Sequence, residues 1–327
     1  MELALTAIRE EALIGTINVL DKSLKNISKS KFNNINVSLA DFDEMLTDKN
    51  NNEILAEHLG NLRNKYGLNF SFGHAPFVLP FYYSDFIAPE AHAVAKSPFK
   101  PGERIEGMAT NPLMDILNEK TSNCIEICSK LGIKKLNFHL GSFMNKDGSH
   151  NVEKSIEENI KFLNRHMKHA ANSGITITIE NGTNLQNPVL PIPKELIKIC
   201  DYFNNKYGSK VMGICYDVGH ARCGNYNLVQ DILDMGANLT ETHLTDNYGK
   251  DTHNTFGNGD INWSTVAKAL NKIGYKNNLT YELNFADTEY EKKPVQALNK
   301  EYVKLVNFEK IVKNETKINQ KECYESK

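Results

Sequence analysis

Nine residues able to hold a metal ion or move a proton fall at or just after short apolar runs of the chain. His74 lies in Gly73-His74-Ala75-Pro76-Phe77, and His139 opens His139-Leu140-Gly141-Ser142. Glu180 begins Glu180-Asn181-Gly182, and Asp217 and His220 share Asp217-Val218-Gly219-His220. His243 leads His243-Leu244-Thr245-Asp246-Asn247, Asp251 and His253 follow at once, and Glu282 ends the series. From His139 to Glu180, Asp217, His243 and Glu282 the steps are 41, 37, 26 and 39 residues. Each is about one strand–helix unit. Side chains in register at successive strand ends of a barrel converge on one mouth. Carboxylates and imidazoles gathered there can neutralise and fix a divalent ion. Taken singly, each residue has an ordinary structural use: Asp217 could cap a helix and Glu180 could pair with a lysine. The joint pattern of Glu, Asp, His and Glu at four consecutive strand ends is what points to metal.

The elements that must position these residues are legible as alternating patterns. Strands are expected at Leu3–Thr6, Ile35–Leu39, Leu68–Phe72, Lys135–Phe138, Ile175–Ile179, Val211–Tyr216, Leu239–Leu244 and Leu279–Leu283. Helical periodicity runs through Glu53–Tyr66, Leu113–Leu131, Val152–Ser173, Lys194–Tyr207, Trp263–Ile273 and Tyr290–Val312. In the third of these, Val152, Ile156, Ile160, Leu163, Met167 and Ala170 form one stripe, and Gly174 follows as a stop. Eight strands alternating with helices predict an α/β fold, a (β/α)8 TIM barrel, with an open doubly wound sheet as competitor. No GxGxxG follows the first strand, which argues against a dinucleotide domain.

The 327 residues contain 38 Lys+Arg and 40 Asp+Glu, a net charge of -2, so no strong field for nucleic acid or an anionic membrane is present. No apolar run approaches the roughly 18 residues of a membrane span, and the start MELALTAIREEALIG lacks the form of a secretory signal. A cytoplasmic location is expected. Six dispersed cysteines form no CxxC pair and read as buried thiols. The expected organisation is one barrel domain over 1–313 and a polar tail over 314–327. An insertion at about 77–111 should lie over the C-terminal face. It is rich in proline and aromatics, among them Phe77, Phe81, Tyr82, Tyr83 and Phe86, which could stack on a sugar or pack on the barrel.

With these motifs in view, the chain resembles the xylose-isomerase-like TIM-barrel superfamily, which holds sugar isomerases, sugar epimerases and endonuclease IV. The resemblance covers about residues 30–285 and is densest in IENG (Ile179–Gly182), GICYDVGHA (Gly213–Ala221) and ETHLTDNYGKDTHNTFGNGDINW (Glu241–Trp263). For the isomerase and epimerase branch it implies one divalent ion on Glu180, Asp217, His243 and Glu282. Mn2+ is the first expectation, with Mg2+, Co2+ or Zn2+ as alternatives. It further implies Glu180 and Glu282 as the catalytic acid/base pair, exchanging a proton across an enediolate. His74, His139, His220, Asp251 and His253 would bind substrate. For the endonuclease IV branch it implies three zinc ions held by all nine residues, cleaving abasic DNA. Leu140 stands where the family often has proline, Gly182 where it often has threonine, and Asn258 where glutamate is common. These departures touch the loops of the mouth and bear on specificity. The expected partner is a small sugar or sugar phosphate. Neither a membrane nor a nucleic acid is expected, and a homo-oligomer stays open.

Overall fold

The computed structural model describes residues 1–6, 17–39, 42–78, 81–83, 87–88, 112–145, 147, 149–183, 192–283, 290 and 292–314. The eight expected strands are all present: β1 (Leu3–Thr6), β2 (Asn34–Ser38), β3 (Asn69–Val78), β6 (Lys135–His139), β8 (Thr176–Glu180), β9 (Met212–Asp217), β10 (Leu239–Leu244) and β11 (Leu279–Tyr281). They form a closed parallel barrel in the order β1-β11-β10-β9-β8-β6-β3-β2. The fold is a (β/α)8 TIM barrel. Phe86, His92 and the rest of 89–111, with Lys96, Lys100 and Arg104, lie outside the described residues, as does the tail beyond Asn314.

Two compact units make up the chain. The first comprises Met1–Val37, Asn61–Ser71 and Ile214–Lys327. In it β1 pairs with β2 and with β11, and β10 pairs with β9 and β11, all parallel. Every residue of β10 is buried, as expected of parallel strands covered on both faces. Its helices include α1 (Ile17–Ile27), α7 (Val218–Cys223), α8 (Leu228–Met235), α9 (Trp263–Lys272) and α10 (Pro294–Val312). α1, α7 and α8 have no counterpart among the helices expected from periodicity. α7 is too short to show a period. α10 begins at Pro294; Tyr290 and Lys292, within the expected span, are also helical, and Lys293 interrupts the run. A proline suits the first helical turn, and the residue before it is held away from helical geometry.

The second unit comprises Ser38–Gly60 and Phe72–Gly213. It holds β6 paired in parallel with β3 and β8, and α3 (Pro112–Lys130), α4 (Val152–Asn164), α5 (Met167–Asn172) and α6 (Pro193–Tyr207). α2 (Asn51–Tyr66) is shared by the two. The single helix expected over Val152–Ser173 is two. At the break the N–H groups of Arg165 and His166 bond three residues back, to Phe162 and Leu163; the His166 Nε2–H donates to Asn118 Oδ1 of α3 at 2.9 Å, and burial lowers its pKa to about 4. A small sheet of β4 (Phe81–Tyr83), β5 (Ile87–Ala88) and β7 (Phe143–Met144) forms here, with Tyr82 paired to Ile87 on one side and Phe143 on the other.

Candidate metal centre

In the second unit, register and the two-residue period of strands stack the polar side chains. Asn137 pairs with Thr178 and His139 with Glu180 across β6 and β8, while His74 of β3 pairs with Asn137. Thr178 Oγ1 donates to Asn137 Oδ1 at 3.1 Å, which turns the Asn137 amide so that Nδ2 donates to Glu180 Oε2. His74 Nε2 lies 3.3 Å and His139 Nε2 3.6 Å from that same oxygen. His74 Nδ1 is 2.7 Å from the Ala75 carbonyl. A carbonyl only accepts, so Nδ1 carries a proton, and Nε2 is the nitrogen turned toward the carboxylate.

In the first unit, Asp217 ends β9 and caps α7, its Oδ1 accepting from the His220 N–H at 2.7 Å. The capping use and the ligand use coexist, because Oδ2 is turned the other way. It lies 3.9 Å from His243 Nδ1 and 3.8 Å from His220 Nδ1. His243, wholly buried, also presents Nδ1 to Glu282 Oε2 at 3.0 Å. His220 Nε2 meets Asp251 Oδ2 at 3.6 Å, and His253 Nε2 meets Asp251 Oδ1 at 3.1 Å. His253 repeats the His74 arrangement, donating Nδ1–H to the Glu282 carbonyl at 2.9 Å. It does so with φ of 50°, an uncommon region for a residue with a side chain and one that costs about 1–3 kcal/mol. Burial alone would lower the His253 pKa. The hydrogen bond to Asp251 and the charges of Glu282, Asp251 and Asp217 outweigh it and raise the pKa to about 10. Burial likewise pushes Asp251 up, but its pKa is lowered on balance by the His253 hydrogen bond and the charges of His220 and His253.

The loop that presents these groups is anchored by Asp246. Its carboxylate accepts from the main-chain N–H of Asn247, Gly257 and Ile261 and from Trp263 Nε1. The Gly-x-Gly-Asp-Ile turn of the sequence is explained by close approach: a Cβ on Gly259 would collide with Asp246 Oδ1 and the Asn247 main chain.

The ligand atoms of His74, His139 and Glu180 all lie within 4.8 Å of one another, and so do those of His220, Asp251 and His253. An ion about 2.0–2.2 Å from each ligand needs pairs about 3–4.4 Å apart, so the residues present fit a divalent ion. Asn36 and Asn137 were not among the expected site residues as polar partners of ligands. The signal for Asn36 was an amide between Ile35 and Val37 in the alternating run Asn34–Ser38.

A family model described as "Xylose isomerase-like TIM barrel" matches residues 117–301, more than half of the chain. The chain belongs to that family. It is 31% identical over 171 residues to the uncharacterized protein MJ1311 of Methanocaldococcus jannaschii, covering 51% of this chain and 55% of that protein. It is 24% identical over 169 residues to apurinic-apyrimidinic endonuclease 1 of Plasmodium berghei, covering 47% of this chain and 32% of that one. The chain thus spans about half or less of the length of the curated relatives it matches. Among solved structures, a D-tagatose 3-epimerase-like protein superposes with a TM-score of 0.65 at 22% identity, over 96% of this chain and 99% of that one. At that identity the likeness shows the fold alone. No helix among the described residues is long and apolar enough to cross a membrane.

Proposed function

We propose that this protein is a divalent-metal-dependent epimerase or isomerase of a sugar or sugar-like ketone. The observation that carries the reading is His243, buried with Nδ1 turned to the carboxylates of Asp217 and Glu282. These three, with Glu180 from the end of β8, would hold the ion. Such a set of oxygens and one imidazole suits Mn2+, Mg2+ or Co2+, and also Zn2+. When bound, the ion supplies Lewis-acid stabilisation of charge developing on neighbouring substrate oxygens. Glu180 takes the proton from the carbon beside the carbonyl. Asn137 Nδ2 donates to its Oε2, which orients the carboxylate for that role. Glu282 returns a proton to the opposite face. His220, Asp251 and His253 form the substrate-binding group, with the charged His253 bonded to the Glu282 carbonyl and to Asp251. His74 and His139 orient the Glu180 carboxylate. A sugar or sugar phosphate is the ligand of this reading, and the cytoplasm its setting.

A second reading is an abasic-site endonuclease. What favours it is the pair of additional groups, His74–His139–Glu180 and His220–Asp251–His253, each compact enough for an ion of its own. Metal content per chain and isotope exchange separate the two. The epimerase reading expects one ion and solvent deuterium entering a ketose at the carbon next to its carbonyl. Three ions with cleavage of abasic DNA and no deuterium uptake across a panel of ketoses would replace it with the second.

A further inference from the structure

His74 and His253 each bind a main-chain carbonyl through Nδ1 and offer Nε2 to a carboxylate. His243 is reversed: Nδ1 faces the carboxylates, so Nε2 must carry the proton if Nδ1 is to offer a lone pair. The group at Nε2 is the side-chain amide of Asn36, at 3.2 Å. Asn36 is fully buried on β2, beside Thr6 on β1, its ladder partner. As placed, the amide nitrogen faces both His243 Nε2 and Thr6 Oγ1 (3.4 Å), while Oδ1, also buried, meets no donor. The two ends of an amide are nearly isosteric and are assigned from their hydrogen bonds. A half-turn brings the oxygen onto two donors, His243 Nε2–H and the Thr6 hydroxyl, and moves the NH2 to the side from which the oxygen came.

We propose that Asn36 is a positioning residue for the metal centre: its Oδ1 accepts the His243 Nε2–H and so leaves the Nδ1 lone pair to an ion shared with Asp217 and Glu282. A histidine ligand is characteristically fixed in this way by an acceptor on its far nitrogen, and loss of that acceptor typically costs 10–100-fold in metal affinity. The inference rests on the metal-dependent reading above, but one of its tests does not.

The first test is long-range 1H–15N NMR of the metal-free protein, assigned with a His243→Gln control. The expected result is a protonated His243 Nε2 in the wild type and in Asn36→Asp, which still accepts. An unprotonated Nε2 in the wild type, with the amide donating to it, would overturn the proposal. The second test is Zn2+ affinity by chelator competition. Asn36→Asp should bind at least as tightly as wild type and Asn36→Leu about 10–100-fold more weakly. Asn36→Leu binding as tightly as wild type would also overturn it. If the wild type takes up no Zn2+, the metal reading fails, and the NMR result alone decides what Asn36 does. Should Asn36→Leu fail to fold, the nearly isosteric Asn36→Asp preserves both measurements.

Discussion

At the scale of single residues, the site works by pointing lone pairs. Hydrogen bonds on one edge of a side chain decide what its other edge offers. Thr178 orients Asn137, Asn137 holds Glu180 Oε2, and the Ala75 carbonyl sets the tautomer of His74. On the proposed reading Glu180 moves a proton, so Glu180→Gln should lower turnover by about 10²–10⁴-fold, with an unchanged circular dichroism spectrum. Turnover retained by the purified variant would remove Glu180 from the acid/base role. His139, Asp217 and His243 were legible as ligand candidates because their types recur at the ends of apolar runs. Their partners were not: Asn36 and Asn137 become part of the centre only through contacts to residues 207 and 43 positions away.

At the scale of elements, the loop between β10 and α9 depends on Asp246 and on the aromatic cluster beneath it. Phe256 packs at 3.9 Å between ring centroids on Trp263 and at 4.7 Å on Tyr281. Trp263 in turn ties Asp246 Oδ2. Asp246→Asn keeps one accepting oxygen of two and leaves buried donors unmet. It should cost about 1–3 kcal/mol in urea denaturation. Gly259→Ala should cost at least as much, because the Cβ meets backbone and an anchored carboxylate with no flexible end to yield. A Gly259→Ala protein as stable as wild type would show that the turn opens freely. The strands were readable to within a few residues from their apolar runs. The break between α4 and α5 was not, since the stripe of apolar residues continues across it and the partner of His166 at the break, Asn118, lies on another helix.

At the scale of the whole molecule, ions and protons couple to stability. An ion that binds only the folded chain stabilises it by about 2.7 kcal/mol at a hundred times its Kd. Mn2+ or Zn2+ should therefore raise Tm, and chelation should reverse the rise. An unchanged Tm with saturating ion would count against a metal centre. In the metal-free protein two histidines shape the pH dependence from opposite sides. His166, held neutral by burial, titrates at about 4 when folded, below its ordinary 6.5. The unfolded chain takes that proton first, so stability falls as pH drops from 6.5 toward 4. His253, held charged by Asp251, titrates at about 10 when folded. Its contribution is complete below 6.5 and is lost as pH rises toward 10. Each slope is at most about 1.4 kcal/mol per pH unit. The urea midpoint should peak near pH 6.5, with His166→Asn flattening the acid limb and His253→Gln the alkaline one.

What the sequence determined by itself was the barrel and the roster of candidate ligands. Most of the buried strands read as short apolar runs, so a polar residue at the end of one stands out. The spacing of strand–helix units then counts the strands. What only the tertiary structure decided was direction: which nitrogen of His74 and of His253 meets a main-chain carbonyl and which oxygen of Asp217 is left beyond its cap. The structure likewise showed that Asn36 stands behind His243. Those choices are made by hydrogen bonds between strands distant in the chain, and composition and periodicity carry no record of them.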